Sequence, residues 1–385
     1  MAPYLSCFLI TGVFAQINDY SLKKKYKLIT ILSALLVILL PALLAGFRSY
    51  EVGTDVNFYV KRGFDLALNF GSVSDWLNLS DIPGYIVTSQ EKGYLLLMYI
   101  VSRFSTNAHV FLFVVSAIEN VMVYLALYKL KSRCSIFMGE IIFLFTQYNS
   151  FYNMVRQGIA MSICLFAVAI LLSNEKQKYI KFVLWILVAF EFHKTAIIAL
   201  VFLGIYMLLK NTNNNILKQA VWMIMLMGIV VCIFPLMNHM IDIGMLPARY
   251  LEYFRGGTTY DASQKMPILG LLIYVSGCLV LFQGFKYLGT DRKFFISIAI
   301  LDILLINLTN VSFYLYRVAS YFLIIRVLSM SQRSLYNLDL TVGRSDYDNP
   351  VLLWIESVGS VVIYFMYFIV NLNWHQTIPY MFTNH

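Results

Sequence analysis

Charge is what this chain has least of. Only 13% of its 385 residues are Asp, Glu, Lys or Arg, against 60% hydrophobic, where soluble domains carry about a quarter charged side chains. So little charge cannot keep a globular surface in water, and a soluble protein is excluded. Proline is scarce too, at 8 residues, and the apolar runs are long and continuous. Strict alternation is missing, which excludes a closed barrel, and in lipid the only other backbone solution is the helix. The few cysteines (Cys7, Cys134, Cys164, Cys232 and Cys278) lack metal-ligand spacing and read as small packing residues. Internal repeats, low-complexity segments and acidic pairs at metal-ligand spacing are also missing, so no metal and no cofactor is expected. Met1 to Gln16 has neither a basic leading region nor a clean cleavage site, and its lysines follow it. It reads as a spanning helix, not a removed signal.

What is present is an all-α polytopic membrane protein. At about 20 residues per pass, the runs predict about a dozen spans. They fall near 3–18, 28–46, 110–128, 136–149, 157–173, 179–192, 195–210, 219–237, 267–285, 294–309, 315–330 and 351–371, within a single transmembrane domain over 1–385. The formal charge of +9 records orientation, not nucleic-acid binding, because Lys and Arg collect on the cytoplasmic side. Lys23, Lys24, Lys25 and Lys27 begin that series. Lys129, Lys131 and Arg133, then Lys176, Lys178 and Lys181, then Lys210 and Lys218, then Lys286, Arg292 and Lys293 continue it. Counting Glu91 to Phe104 as a span would turn every later island outward. Residues 93–104 are therefore predicted to lie in the outer interface, anchored by Tyr94 and Tyr99. The large outer loops become 47–109 and 238–266, and 337–349 becomes a cytoplasmic loop.

Arginine collects on the outer side (Arg48, Arg62, Arg103, Arg156, Arg249, Arg255, Arg317) while lysine dominates the islands. Arginine suits forked recognition of phosphate, so an anionic ligand is expected on that face. The most polar stretch is FRSYEVGTDVNFY, residues 47–59, which brings together Arg48, Glu51, the turn glycine Gly53, Asp55 and Tyr59. A solvated connecting loop is the plain alternative. Arg156 opens a span in YNMVRQGIAMSI, where unpaired N–H groups and the helix dipole favour an anion. Asn153 and Gln157, four apart, can share one face with it, although snorkelling to the interface also accounts for such an arginine. His193 in AFEFHKTAIIAL fits a general base or a phosphate hydrogen-bonder, and fits equally a structural hydrogen-bonder. Arg317 and Tyr321 lie in LYRVASYFLIIR, with Asp302 or a ligand phosphate as partner for that arginine. Arg249, Tyr250 and Arg255 in ARYLEYFRGG can form a sugar-stacking flap.

The ordered set FRSYEVGTD with Tyr59, Glu91-Lys92-Gly93-Tyr94, NMVRQGIA, EFHKTAI, the tyrosines and arginines of the second loop, YRVASYF and the IPY tail resembles the EpsG family of bacterial exopolysaccharide proteins. That group includes Wzy-type O-antigen and capsule polymerases. The loop arrangement is also similar to that of GT-C glycosyltransferases, a fold-level analogy. The resemblance implies a glycosyltransferase of the bacterial inner membrane with its site facing the periplasm. It would move a growing glycan from undecaprenyl pyrophosphate onto the non-reducing end of an incoming lipid-linked repeat unit. The partners implied are that lipid-linked oligosaccharide, membrane lipid and a chain-length regulator. Arg156 and Arg317, with Arg48 as a third, are then expected to neutralise the departing pyrophosphate. Asp55 is the first choice of base and His193 the second. Gly53, Tyr59, Glu91, Tyr94, Asn153, Gln157, Arg249, Tyr250, Arg255 and Tyr321 are expected to line the substrate site.

Two other activities fit the same residues. One is another polyprenyl-linked sugar transferase, such as an O-antigen ligase. The other, of a different class, is a flippase of lipid-linked oligosaccharide. Transporters place charge at mid-membrane within repeats, whereas here the polar residues gather at one face.

Overall fold

With lipid offering no hydrogen bonds, each apolar run satisfies its backbone by coiling on itself. The computed structural model describes residues 1–81, 90–211, 266–309, 314–336 and 350–383, together with 228, 239, 242 and 243. The regular elements among them are helices, and two isolated bridges, Arg48 with Phe382 and Cys134 with Gln332, are the β-type contacts. The expected span at 219–237, the flap residues Arg249, Tyr250 and Arg255, and the loop 337–349 lie outside the described residues. The chain divides into two compact units, Met1–Ile197 with Arg326–His385, and Ile198–Ile325.

The first unit begins with a hairpin of α1 (Ala2–Lys24) and α2 (Lys27–Gly46). Its turn is made by Lys25 at φ 62°, and it is held by the Asn18 amide donating to Thr30 O at 2.8 Å and to Ser33 Oγ at 2.9 Å. After α2 the chain passes through a π-helical turn, Val56–Lys61, into α3 (Arg62–Ala67) and α4 (Val73–Leu77). Then come α5 (Lys92–Phe104), α6 (Ala108–Lys129), α7 (Ile136–Thr146), α8 (Tyr148–Phe151), α9 (Val155–Leu172) and α10 (Lys178–Phe190). The second unit holds α11 (Leu200–Asn211), α12 (Ile268–Gln283), α13 (Arg292–Leu308) and α14 (Tyr314–Leu323). The chain returns to the first unit as α15 (Arg326–Ser329) and α16 (Pro350–Tyr364), the latter running on as a π-helix, Phe365–Asn371.

Helix α9 is the axis of the first unit. It is buried on nearly every side and packs against α6 and α10. At one end of the unit Asp19 ties three segments together. Its carboxylate accepts from Ser135 Oγ at 2.6 Å, from the first N–H groups of α7 at Ile136 (3.1 Å) and Phe137 (3.2 Å), and from Arg333 Nη2 at 2.5 Å. A carboxylate at a helix N-terminus is favoured twice, by the orphan N–H groups and by the dipole. The opposite end carries Gly46, Ala108 and Val155, and that is where the polar residues of interest meet.

Five described helices are long and apolar enough to cross a membrane: Lys27–Gly46, Ala108–Lys129, Val155–Leu172, Ile268–Tyr287 and Val351–Asn371. Of the other expected spans, that at 3–18 is the 23-residue α1, which is less apolar than those five, and the remaining described ones are helical but shorter. That at 136–149 breaks at Gln147 into α7 and α8, and that at 195–210 begins as a 3₁₀ turn, Lys194–Ala199. Helix α5 has 13 residues, about 20 Å at 1.5 Å per residue, too short for a hydrocarbon core of about 30 Å. It packs along α3, α4 and α6, with the Trp76 indole donating to Leu95 O at 2.8 Å and Arg103 donating to Ala67 O at 2.7 Å. Its last residue, Phe104, is 86% exposed.

Replacing Asp19 removes the acceptor for four donors at once. Asp19→Ala is expected to cost about 2 kcal/mol, read as a lower midpoint of thermal unfolding in detergent.

Candidate functional site

The site grows from the start of α5. Glu91, its N-cap, is extended at φ −74° and ψ 143°. Two residues on, the Gly93 N–H donates to Glu191 O at 2.9 Å, and a Cβ at Gly93 would lie 2.6 Å from that oxygen. Only glycine lets the first turn of α5 press so closely on the end of α10. That approach brings the Glu91 carboxylate onto the residues that follow α10 and onto the first turn of α9. Oε1 accepts from His193 Nδ1 at 2.9 Å and from the Lys194 N–H at 3.2 Å. Oε2 accepts from Arg156 Nη1 at 2.7 Å. Glu91 is 7% exposed, whereas the His193 and Arg156 side chains keep 15% and 28% of their surface open.

Burial pushes the Glu91 carboxyl up. The His193 hydrogen bond, the charges of Arg156 and His193 and the Lys194 amide outweigh it and hold the group down at about 2. A carboxylate ionised at neutral pH fixes the tautomer of its histidine. The proton sits on Nδ1 and Nε2 is the basic nitrogen. The cluster is therefore an oriented imidazole beside a guanidinium at the start of a helix, both positioned by one buried acid. Residues 91, 156 and 193 were each candidates in the sequence, and folding places them on a single carboxylate.

Beside the cluster the first loop is tied to the C-terminal tail. Gly53 turns the chain at φ 93°, its N–H donates to Gln376 O at 3.0 Å, and a Cβ there would lie 2.7 Å from Asn153 Oδ1. The Asn153 amide is used at both ends, Oδ1 accepting from the Thr54 N–H at 2.8 Å and Nδ2 donating to His375 O at 2.6 Å. Asn153 is thus the clasp between loop and tail, three residues before Arg156. Asp55 follows Thr54 and is half-buried, with Thr54 Oγ1 at 3.5 Å from its Oδ1. Tyr59 is exposed.

Other candidates face inward. Tyr94 is buried with its ring 5.6 Å from that of Phe111. Gln157 is buried with Nε2 at 3.8 Å from Met161 Sδ. Arg48 is 2% exposed, its guanidinium 3.5 Å over the Tyr152 ring, so it lies behind the outer surface and not on it. Arg317 and Tyr321 are on α14 in the second unit, Tyr321 fully buried. In that unit Asp302 accepts a short hydrogen bond from Tyr274 Oη. Among the described residues no group of three His, Cys, Asp or Glu could hold a metal ion.

The sequence reading passed over the tail as a partner of the first loop and passed over Glu119, a buried acid in α6. The signal for Glu119 was available, since a lone acid inside an apolar run is expensive and needs a purpose.

The depressed Glu91 value sets a pH dependence. Its folded value lies below the usual carboxylate value of 4.5, so the stabilisation is complete above about pH 5 and is lost as pH falls toward about 2. The shift corresponds to roughly 3 kcal/mol. Glu91→Gln is expected to flatten this acid limb in a series of unfolding midpoints, and an unchanged limb would assign it to another carboxyl. Gly93→Ala is expected to lower stability by about 2 kcal/mol through the clash with Glu191 O.

No curated protein and no solved structure matches the chain. A family model does: that of the EpsG family aligns with residues 31–382, nearly the whole length, and takes in every part of the cluster and its clasp. The chain belongs to the EpsG family.

Proposed function

We propose that this EpsG-family membrane protein is a polysaccharide repeat-unit polymerase, with the Glu91–Arg156–His193 cluster as the centre of glycosyl transfer. Family membership supports polymerase-type glycosyl transfer. The observation that carries the assignment to this cluster is the shared Glu91 carboxylate, which presents a base and a cation side by side at the start of α9.

In the proposed reaction the donor glycan is linked to undecaprenyl pyrophosphate, and the acceptor is the non-reducing sugar of an incoming lipid-linked unit. The acceptor hydroxyl attacks the anomeric carbon and its proton passes to His193 Nε2. The bond from that carbon to the pyrophosphate oxygen breaks, and the electron pair leaves on the pyrophosphate. Arg156 and the positive end of α9 neutralise the charge that develops there. A pyrophosphate needs little proton help to depart, so charge neutralisation is the larger demand. His193 is preferred to Asp55 as base because Glu91 fixes its tautomer. Asp55, near the Asn153 clasp, is assigned to the acceptor sugar. The site is taken to face the periplasm of the inner membrane, opposite the lysine islands.

Arg156→Ala and His193→Ala are each expected to abolish long-chain product while the protein stays in the membrane, as read from polymer ladders in a strain lacking the gene. Ladders persisting in Arg156→Ala would sink the pyrophosphate assignment. Polymer lost in Asp55→Asn but kept in His193→Ala would transfer the base role to Asp55. A deletion strain capping lipid A core with one repeat unit indicates a polymerase, and one accumulating lipid-linked polymer indicates a ligase. For the orientation, Thr106→Cys is expected to react with an impermeant thiol reagent added from the periplasm. Labelling only after the membrane is opened would mean that α5 crosses.

A further inference from the structure

The proposed reaction gives the sugar and the pyrophosphate their partners and leaves the lipid chain of the substrate without one. Helix α5 has two apolar faces. Tyr94, Leu95, Met98 and Val101 are buried on one. Leu96, Ile100 and Phe104 stand on the other, 41%, 45% and 86% exposed. Recurring every fourth residue, these three form one stripe, about 12 Å long at 1.5 Å per residue. Gly93, about two turns before Ile100, is on the same side of the helix. It is the glycine whose N–H donates to Glu191 O at 2.9 Å, and Glu191 caps α10 just before His193. The stripe therefore starts at the edge of the cluster.

The same helix lies at the boundary of the membrane. Residues 105–107 join α5 to α6, so an antiparallel pair would set Tyr94 about three turns into α6. Its ring instead meets Phe111, in the first turn of α6, at 5.6 Å. Helix α5 thus crosses the end of α6, and α6 is long and apolar enough to span a membrane. Phe104 stands just before that span. A helix apolar on both sides is one with both sides covered, and at this boundary the cover for the outer stripe is a hydrocarbon chain. A lipid pyrophosphate held at Arg156 brings its own chain to this place, and the stripe is an apolar surface that leads away from the cluster.

We propose that Leu96, Ile100 and Phe104 are the seat of the substrate's polyprenyl chain, laid along α5 while its pyrophosphate is held at Arg156. The position of the seat stands on exposure and helix geometry; the identity of the chain rests on the polymerase reading.

The test uses the full-length protein in nanodiscs of phosphatidylethanolamine and phosphatidylglycerol. Two photoreactive probes are compared: a polyprenyl pyrophosphate with a diazirine in its chain, and a phosphatidylglycerol with the same group in an acyl chain. The prenyl probe is expected to label residues 92–104. Excess unlabelled undecaprenyl pyrophosphate should remove most of that label, and excess phosphatidylglycerol should not. Leu96→Ser combined with Ile100→Ser should raise the concentration of undecaprenyl pyrophosphate needed for competition by about tenfold or more. Both side chains are exposed, so the variant is expected to keep its unfolding midpoint. Leu9→Ser on α1, at a position 64% exposed, should leave the competition unchanged, and an equal loss there overturns the seat. Equal labelling by both probes without competition makes the stripe ordinary lipid contact and overturns the proposal, as does undiminished competition in the double variant. Competed labelling together with polymer ladders persisting in Arg156→Ala sinks the assignment of glycosyl transfer to the cluster and leaves the prenyl seat standing. Ladders lost in Arg156→Ala with uncompeted labelling sink the seat alone.

Discussion

One buried carboxylate holds the candidate site together. Glu91 accepts from an arginine 65 positions away, a histidine 102 positions away and the amide after that histidine. Taking a carboxylate out of water is costly, and it is tolerated here because three donors converge on it. The dependence runs the other way as well. Without the acid, Arg156 and His193 would lose their common acceptor. Such a group is better suited to positioning than to proton transfer. Its affinity for a proton is far too low near neutral pH for such a transfer.

The surroundings of the cluster follow from the same demand for internal partners. A loop crowded with polar backbone at the end of a membrane bundle must satisfy its own N–H and C=O groups. Here the C-terminal tail meets that demand. It bridges residues 47–49 through backbone bonds, receives the Gly53 N–H and accepts from Asn153. His375 is buried in this tail and kept neutral, burial pushing it down to about 4. A neutral ring can be enclosed at a loop junction without importing charge, so the clasp adds no competing cation beside Arg156.

Much of this was legible in the sequence, for reasons that differ by residue. Apolar length and the lysine islands announce a helical membrane protein, because lipid restricts the backbone to few solutions. Arg156 and His193 stood out since polar residues are rare and costly in such a chain. The ordered motifs led to the family, which the match over 31–382 shows. Other features were hidden. The breaks at Gln147 and before Leu200 leave no Pro or Gly mark that hydropathy would register. Arg48 looks like its neighbours in composition, but whether an arginine faces solvent or stacks on Tyr152 is decided by packing from another helix. Glu91 appeared as one letter of a short motif, and its role depends on contacts across 65 and 102 residues.

The distribution of charge also bears on the choice between chemistry and translocation. A carrier of a pyrophosphate-linked glycan has to compensate the anion at successive depths, which calls for cations on the path between the two faces. In the first unit two arginine–carboxylate pairs lie at its two ends: Arg333 with Asp19 at one, Arg156 with Glu91 at the other. Between them lie the buried acids Glu119 and Glu140, which offer no positive charge to escort phosphate. Arg48 is the exception, yet it is buried with its guanidinium over the Tyr152 ring and its backbone bridged to the tail. A phosphate held at Arg156 would find the helix dipole and the His193 imidazole beside it but, among the described residues of the first unit, no series of cations below. That electrostatic profile suits a group bound, broken and released at one face.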